Sequence, residues 1–254
     1  MRGPQAFVRL SLYTFDHMSI KKEFYPDIFH PFYFIRNELA RKIKEHSFLL
    51  NGDLLDFGCG AKPYKQLFSH CKSYVGVDYE GAGHSHTGEE IEYFYNGKTL
   101  PFTNESFDSI FASEVFEHLF NLSEIIPELN RVMKTGGRLL VTCPFAWPEH
   151  EKPYDYARYT LFALTSVLEA NGFKMIKTDK SGNFFLAVHQ LNTIYVYQHV
   201  CGKFSLNNRL PILSAIARKV VTPIMNIGGL VGNAILPKNG EFYLNNIVVA
   251  EKIR

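Results

Sequence analysis

The sequence is poor in cysteine, and none of its cysteines sit as a pair. Cys59, Cys71, Cys143 and Cys201 are scattered, with no CxxC spacing. This leaves out cysteine-based zinc sites and dithiol redox motifs, so no metal is expected, and it fits a reducing compartment. An excess of one charge is also missing. The formal net charge is +2 and no basic run appears; a nucleic-acid binder usually carries one. Lys62, Lys65 and Lys72 are too sparse to count as such a run. Residues 1–20 have only short apolar stretches, broken by Arg9, Asp16 and His17. They lack the apolar core and cleavage site of a secretory signal. The expectation is a cytoplasmic protein that binds no nucleic acid. Internal repeats and low-complexity segments are not evident.

An apolar content of 46% with 20% charged residues reads as globular rather than disordered. A chain of 254 residues is long enough for one α/β domain that buries roughly 70–75% of its unfolded surface. Aromatic residues are abundant, 22 Phe and 14 Tyr. They crowd the first third and the segment after 184, where core packing or a lined cavity would account for them.

The apolar spacing Phe34, Ile35, Leu39, Ile43 predicts a first helix ending near His46. Leu54-Leu55-Asp56-Phe57, closed by Gly58 and Gly60, predicts a strand and tight turn. A helix is expected at Tyr64 to Phe68, and strands at 73–78, 92–95 and 107–112. A helix is expected at 115–120. Ser123 is read as the cap of a further helix with Ile125, Ile126, Leu129, Val132 and Met133 on one face, stopped by Gly136-Gly137. A strand at 138–143, a helix at 160–171 stopped by Gly172, and a last strand at 245–250 follow. Strands alternating with helices imply an α/β fold, a parallel sheet with helices on both faces. Ligands of such sheets bind outside the carboxyl ends of the strands, which groups Gly58, Gly60, Asp78, Ser113 and Pro144.

Glycines after a strand let the backbone approach a ligand, but GxG alone also marks an ordinary turn. Asp78 ends the second strand some twenty residues on, where an acid accepts both hydroxyls of a ribose. That suits a nicotinamide or a methionine-adenosine cofactor. The run Gly58-Cys59-Gly60-Ala61-Lys62-Pro63 lacks a third glycine, and Pro63 follows it. Both disfavour a helix N-terminus that holds pyrophosphate.

Three further runs follow: Leu100-Pro101-Phe102 before Ser106-Phe107-Asp108, then Glu114-Val115-Phe116-Glu117-His118-Leu119, then Glu128 to Gly137. In order and spacing these motifs resemble the type 11 class of S-adenosylmethionine-dependent methyltransferases, over about residues 30 to 180 plus the last strand. The resemblance implies a class I, Rossmann-like, seven-stranded, mostly parallel sheet and methyl transfer from S-adenosylmethionine. It implies that Asp56, Gly58 and Gly60, with Cys59, hold the methionine end, and that Asp78, with Tyr79, grips the ribose. Asn96 stands where the family usually has an acid near the adenine amino group, and its carbonyl oxygen is expected to accept there. Ser113 and Glu114 would lie beside the methionine portion. Thr135 replaces a usual proline. His118 and Glu117 are read as helix residues packed on the sheet, and Arg131 as a tie between helix and sheet.

The segment Trp147 to Thr160 is dense in polar and aromatic residues on the ligand side, which reads as an acceptor loop. Its Pro153-Tyr154-Asp155-Tyr156-Ala157-Arg158-Tyr159-Thr160 run resembles a subset of these enzymes that accompanies surface-polysaccharide and glycan biosynthesis. The implied acceptor is a small molecule or glycan precursor held by Glu149, Tyr154, Tyr156, Arg158 and Tyr159. His150 is the candidate base because imidazole titrates near neutrality, with Asp155 or Glu149 as substitutes. Alternatively, Asp155 and Arg158 pair and only fix the loop.

Val220 to Leu236 carries no charge but is interrupted by Pro223, Gly228, Gly229 and Gly232. It is at the lower edge of the roughly 17–25 residues that span a bilayer. Residues 205–237 are therefore read as a lid, a homodimer interface or a peripheral contact with the inner face of a membrane. The whole is read as one domain over 1–254. It comprises an arm and helix (1–50), a cofactor-binding core (51–183), an apolar helical insertion (184–240) and the last strand (241–254).

Overall fold

A computed structural model describes residues 24–81, 89–201 and 211–254. The expectations for residues 1–20, and for the parts of the 81–88 loop and the 205–237 segment that fall in 82–88 and 205–210, lie outside the described residues. Seven strands, β1 (Asp53–Phe57), β2 (Ser73–Tyr79), β3 (Tyr93–Tyr95), β4 (Phe107–Ser113), β5 (Met133–Pro144), β6 (Phe173–Ser181) and β7 (Asn245–Lys252), form one sheet. Their order is β3-β2-β1-β4-β5-β7-β6, with β7 antiparallel to both neighbours and the other pairings parallel. This is a mostly parallel, Rossmann-like sheet, as expected.

The central strands are apolar on both sides because both faces are covered. Side chains alternate across the strand. Leu55, Phe57, Ile110 and Val141 pack on one face with Ile125, Ile126 and Leu129 of α2 (Leu122–Val132) and Leu164 and Leu168 of α3 (Leu161–Ala170). Leu54, Phe111, Leu140 and Val249 pack on the other with Leu39 and Ile43 of α1 (Tyr33–Ser47). The sheet order reverses between β1 and β4, and that reversal opens the crevice in which such folds bind ligands.

Several local expectations are corrected. Tyr64 to Phe68 forms only a 3-10 turn, Lys65–Phe68; Lys62 takes a left-handed φ of 51° just before it, and Pro63 has no amide to give. The helix at 115–120 is likewise a single 3-10 turn, Phe116–His118. Ser123 lies inside α2, whose N-cap is Asn121, without a side-chain capping bond. Gly136-Gly137 does not stop α2. The helix ends at Val132, and Gly136, at φ 80°, forms an irregularity inside β5, where the register with β4 shifts. By contrast, the Thr160 hydroxyl caps α3 by accepting the Ala163 amide at 3.2 Å.

The insertion adds a third layer. α4 (Phe184–Tyr195) continues through one π-helical turn, and α5 (Pro211–Ile235) is a single 25-residue helix through Pro223. The glycines of α5 do not break it. Gly229 faces the rings of Phe34 and His189, and Gly232 faces the ring of Phe185; a Cβ at either place would overlap them. The insertion also supplies the cap that α1 lacks. Gln190 Oε1 accepts the amides of Phe34 and Ile35 at 3.0 and 3.1 Å, and its amide donates to Pro31 O at 2.7 Å. No helix among the described residues is long and apolar enough to cross a membrane.

Candidate active site

β1 ends in Gly58 and Gly60, with φ of 71° and 43°. Only glycine takes these values at little cost. The Gly58 and Cys59 amides both donate to Val77 O on β2, at 2.9 and 3.2 Å. Gly58 has a second constraint, since a Cβ there would overlap the methyls of Val115. At Gly60 the nearest atom to such a Cβ would be Glu89 Oε1, at 3.9 Å. Among the described residues the turn is thus closed on the Val115 side and open beside Gly60.

Asp78, nearly buried at the tip of β2, ties this turn down. Its Oδ2 accepts the Gly60 amide at 2.7 Å and its Oδ1 the Tyr79 amide at 2.7 Å. The Tyr79 ring is exposed and edges onto Tyr95 at 5.7 Å. Asp56 is buried in β1 and accepts the Tyr74 phenol. Burial pushes its carboxyl up to about 7; the Tyr74 hydrogen bond opposes this and the nearby Asp78 charge adds to it. The Cys59 thiol is buried, and burial, with the charges of Asp56 and Asp78, drives its pKa well up. This cysteine is a packing residue, lying against Gly76 with the Lys62–Glu92 ion pair.

Asn96 departs from its expected role. Its carbonyl oxygen accepts the amides of Lys98 and Thr99 at 2.9 and 3.0 Å. Both lone pairs are engaged in that turn, so the atom expected to meet adenine is already taken. Ser113, at the end of β4, shares a 2.9 Å hydrogen bond with Thr142. Thr142 donates to Glu114 Oε1 at 2.9 Å, and Asn245 donates to Glu114 Oε2 at 2.8 Å. Burial raises the Glu114 carboxyl to about 7 despite those bonds. Glu114 also holds a left-handed φ of 57°, a strained conformation for this residue type.

Beyond β5, residues 147–160 form a strap, which is tied to the turn after β4 by the Tyr156 and Ala157 amides. Arg158 fixes it. The guanidinium donates to both Asp155 oxygens at 2.6 Å and to the carbonyls of Trp147 and Pro148. Burial would raise the Asp155 carboxyl, but Arg158 and the His150 amide hold it down at about 2. A carboxylate so engaged takes no proton near neutrality. This corrects the reading of Asp155 as a base: with Arg158, it braces the loop. Glu149 is exposed and pairs with Lys152 at 3.0 Å. Tyr154 and Tyr156 are exposed, 41% and 45%, and Tyr156 edges onto Phe120 at 5.3 Å. Tyr159 turns inward against the core. Arg131 ties α2 to the 100–104 loop through the carbonyls of Leu100 and Phe102 and the Asn104 side chain.

Glu117 and His118 were read as packing residues, yet they lie under the strap. Tyr156 and Ala157 donate their amides to Glu117 O at 2.8 and 3.2 Å. The Glu117 side chain is fully buried, and burial with the Glu114 charge raises its carboxyl well above the ordinary range. The available signal was its position, just after the carboxyl end of β4 and beside a histidine. Burial depends on the strap and is not visible along the chain.

Residues 55–141 match the methyltransferase-domain family of type 11. Over that stretch the chain is similar to a methyltransferase domain. The cofactor of this domain class is S-adenosylmethionine. The ubiquinone/menaquinone biosynthesis C-methyltransferase UbiE of Pseudoalteromonas translucida is 34% identical over 85 residues, which is 32% of this chain and 34% of that protein. A "probable S-adenosylmethionine-dependent methyltransferase" of Mycolicibacterium smegmatis is 27% identical over 160 residues, 58% of this chain and 61% of that protein. The chain therefore spans between about a third and three fifths of the length of these curated relatives. The crystal structure of the 4+2 cyclase SpnF has the same fold, with a TM-score of 0.52 and 19% identity over 85% of this chain and 81% of that one.

The residues present fit this cofactor. The open Gly60 backbone and the Asp78 carboxylate stand side by side. The helix that would offer a dinucleotide its pyrophosphate cradle is reduced to a 3-10 turn.

Proposed function

We propose that this chain transfers a methyl group from S-adenosylmethionine to a hydroxyl oxygen of a sugar or glycan precursor. The observation that carries the acceptor class is the strap over residues 147–160. It exposes Tyr154 and Tyr156, the latter edge-on to the exposed ring of Phe120 after β4, beside polar groups braced by Arg158. A sugar ring has C–H faces and a hydroxyl rim, which suits aromatic surface flanked by hydrogen-bonding groups.

When bound, S-adenosylmethionine supplies an electrophilic methyl group on a cationic sulfur. Gly58 and Gly60 would hold the methionine end through backbone, Asp78 the ribose hydroxyls, and Ser113 the edge beside them. The strap positions the acceptor and excludes water above them. Such alignment is worth ~7–11 kcal/mol in favourable cases. With Asp155 tied to Arg158, the groups left facing the reacting edge are Glu117, His118 and His150.

A second acceptor class, a small quinone-like or lipid molecule, is favoured by the similarity to a quinone C-methyltransferase. That similarity covers 85 residues, 32% of this chain. A cofactor-binding subunit without turnover is the remaining alternative. A donor-consumption assay against nucleotide sugars, glycan extracts and quinone precursors separates the three. Turnover with sugars supports the proposal, turnover with quinones alone overturns the acceptor class, and no turnover with cofactor bound favours the subunit reading.

We infer also that α5 meets an apolar surface, with a lipid interface as the first reading. Ile216, Val220, Ile224, Ile227, Val231 and Ile235 are exposed along one stripe, a pattern of interfacial helices. Flotation with anionic liposomes, lost in Ile224→Asp, supports it. A dimer mass that falls to monomer in the same variant points to a second copy instead.

A further inference from the structure

We propose that Glu117, His118 and His150 form a binding site for one divalent transition-metal ion at the acceptor side of the active site. Its binding is independent of the methyl-transfer reading, whereas its role there rests on that reading.

The three residues come from different places. Glu117 and His118 lie in the 3-10 turn after β4, and His150 lies in the strap. Their ligand atoms converge. Glu117 Oε1 is 3.7 Å from His118 Nε2 and 3.9 Å from His150 Nε2. All three atoms lie within 4.8 Å of one another. A point equidistant from them is roughly 2.0–2.5 Å from each, close to the lengths of zinc–nitrogen and zinc–oxygen bonds.

The independent observation is that Glu117 Oε1 is fully buried and has no hydrogen-bond partner among the described residues. A buried carboxylate oxygen left unsatisfied is costly. Here it is aimed at the two imidazole nitrogens. Its sister oxygen, Oε2, accepts only the Cys143 thiol, at 3.6 Å.

His118 is also oriented as a ligand. His118 Nδ1 lies 2.8 Å from Tyr154 O. A carbonyl can only accept, so Nδ1 carries the proton and Nε2 presents a lone pair. His150 Nδ1 lies 3.3 Å from both Asp155 Oδ2 and Arg158 Nη2; a metal at Nε2 requires Nδ1–H to donate to the carboxylate, the arrangement that fixes metal-bound imidazoles. The Arg158 guanidinium pairs with both Asp155 oxygens, and its Nη2 also reaches His150 Nδ1 at 3.3 Å, a contact that metal binding would have to displace. Glu151 Oε2, 3.9 Å from His118 Nε2 on the exposed side, is a further donor within reach.

Two nitrogens and one carboxylate favour zinc, manganese, iron or cobalt over magnesium or calcium. The other such cluster among the described residues, Glu45, His46 and Asp179, differs because Lys42 Nζ occupies Asp179 Oδ2 at 2.5 Å. At the proposed site the ion would bind the acceptor oxygen and lower its pKa as a Lewis acid. The oxygen lone pair would then form the bond to the methyl carbon as the carbon–sulfur bond breaks. The hydroxyl proton would leave to water, so that His150 acts as a ligand and not as the base.

The test is calorimetric titration of chelator-stripped full-length protein with Zn²⁺, Mn²⁺ and Mg²⁺, with S-adenosylhomocysteine titrated into the same preparation. One transition-metal ion per chain is expected. Its affinity should fall at least about 10-fold in Glu117→Gln, His118→Ala and His150→Ala, and stay unchanged in His199→Ala. Melting curves identify any variant that fails to fold, and Glu117→Gln keeps the shape of the native side chain. Cobalt loading adds a spectroscopic readout, with ligand-field bands and no thiolate charge-transfer band. No transition-metal binding, preference for Mg²⁺, a thiolate band, or unchanged affinity in all three folded variants would overturn the site. S-adenosylhomocysteine binding without metal binding sinks this inference alone, whereas metal binding without it sinks the methyl-transfer reading.

Discussion

The backbone amide of Gly60 donates to the Asp78 carboxylate at 2.7 Å. The two segments that would hold opposite ends of the cofactor are therefore one unit. The turn after β1 is tied to the tip of β2, and the same carboxylate is the one proposed to accept the ribose hydroxyls. Asp78→Ala removes both functions. Its affinity for S-adenosylhomocysteine is expected to fall at least ~10-fold, the scale of one charge-assisted hydrogen bond or more. Asp78→Asn keeps an oxygen for Gly60 and should fall between the two. Equal affinities in all three proteins would contradict the coupling.

Asp56 makes stability depend on pH. Its folded carboxyl is pushed up to about 7 by burial, with the Tyr74 hydrogen bond opposing and Asp78 adding, against about 3.9 when unfolded. Between those values the folded state binds the extra proton, so the Asp56 share of stability falls as pH rises through the window and levels off above about 7, with the raised Glu114 and Glu117 acting in the same direction. The upper bound is ~4 kcal/mol at about 1.4 kcal/mol per unit. Urea melts across the window should show this slope in the native protein and a flatter one in Asp56→Asn. Parallel slopes would remove Asp56 as the cause.

Gly58 carries two constraints, and they separate. Gly58→Ala forces a side chain into φ 71° and onto the Val115 methyls. A loss of ~2–4 kcal/mol is expected from strain and overpacking together. Adding Val115→Ala should recover the steric share and leave the backbone share. Denaturant midpoints check this, and full recovery in the double variant would show that φ contributes nothing.

Arg158→Lys tests the strap. Lysine cannot make the two parallel bonds that Arg158 makes to Asp155. The KM for the acceptor should rise by about 10-fold as the strap loosens, with cofactor affinity unchanged. Equal loss of both would mean that the strap also shapes the cofactor site.

Much of the sheet was legible along the chain, because buried strands read as apolar runs and glycine marks their ends. β1, β2, β4 and β7 lie where their runs predicted, and Gly60 and Asp78 meet where alternation of strand and helix places them. What failed was local punctuation overridden by tertiary contacts. Gly229 and Gly232 looked like breaks in α5, but they make room for the rings of Phe34, His189 and Phe185. Gly136 looked like a helix stop, but it belongs to a shift in β5 register. Asp155 looked like a base until Arg158 was seen to hold both its oxygens. Glu117 was read only as a packing residue because its contact with the strap, through Tyr156 and Ala157 about forty positions later, is not visible along the chain.

The central claim is a methyl-donor site built on Gly60 and Asp78, and titration calorimetry tests it most directly. S-adenosylhomocysteine and NAD are each titrated into the full-length protein. The prediction is one S-adenosylhomocysteine bound per chain, weakened in Asp78→Ala, and no NAD binding. Binding of NAD in place of S-adenosylhomocysteine, or of neither, would contradict it.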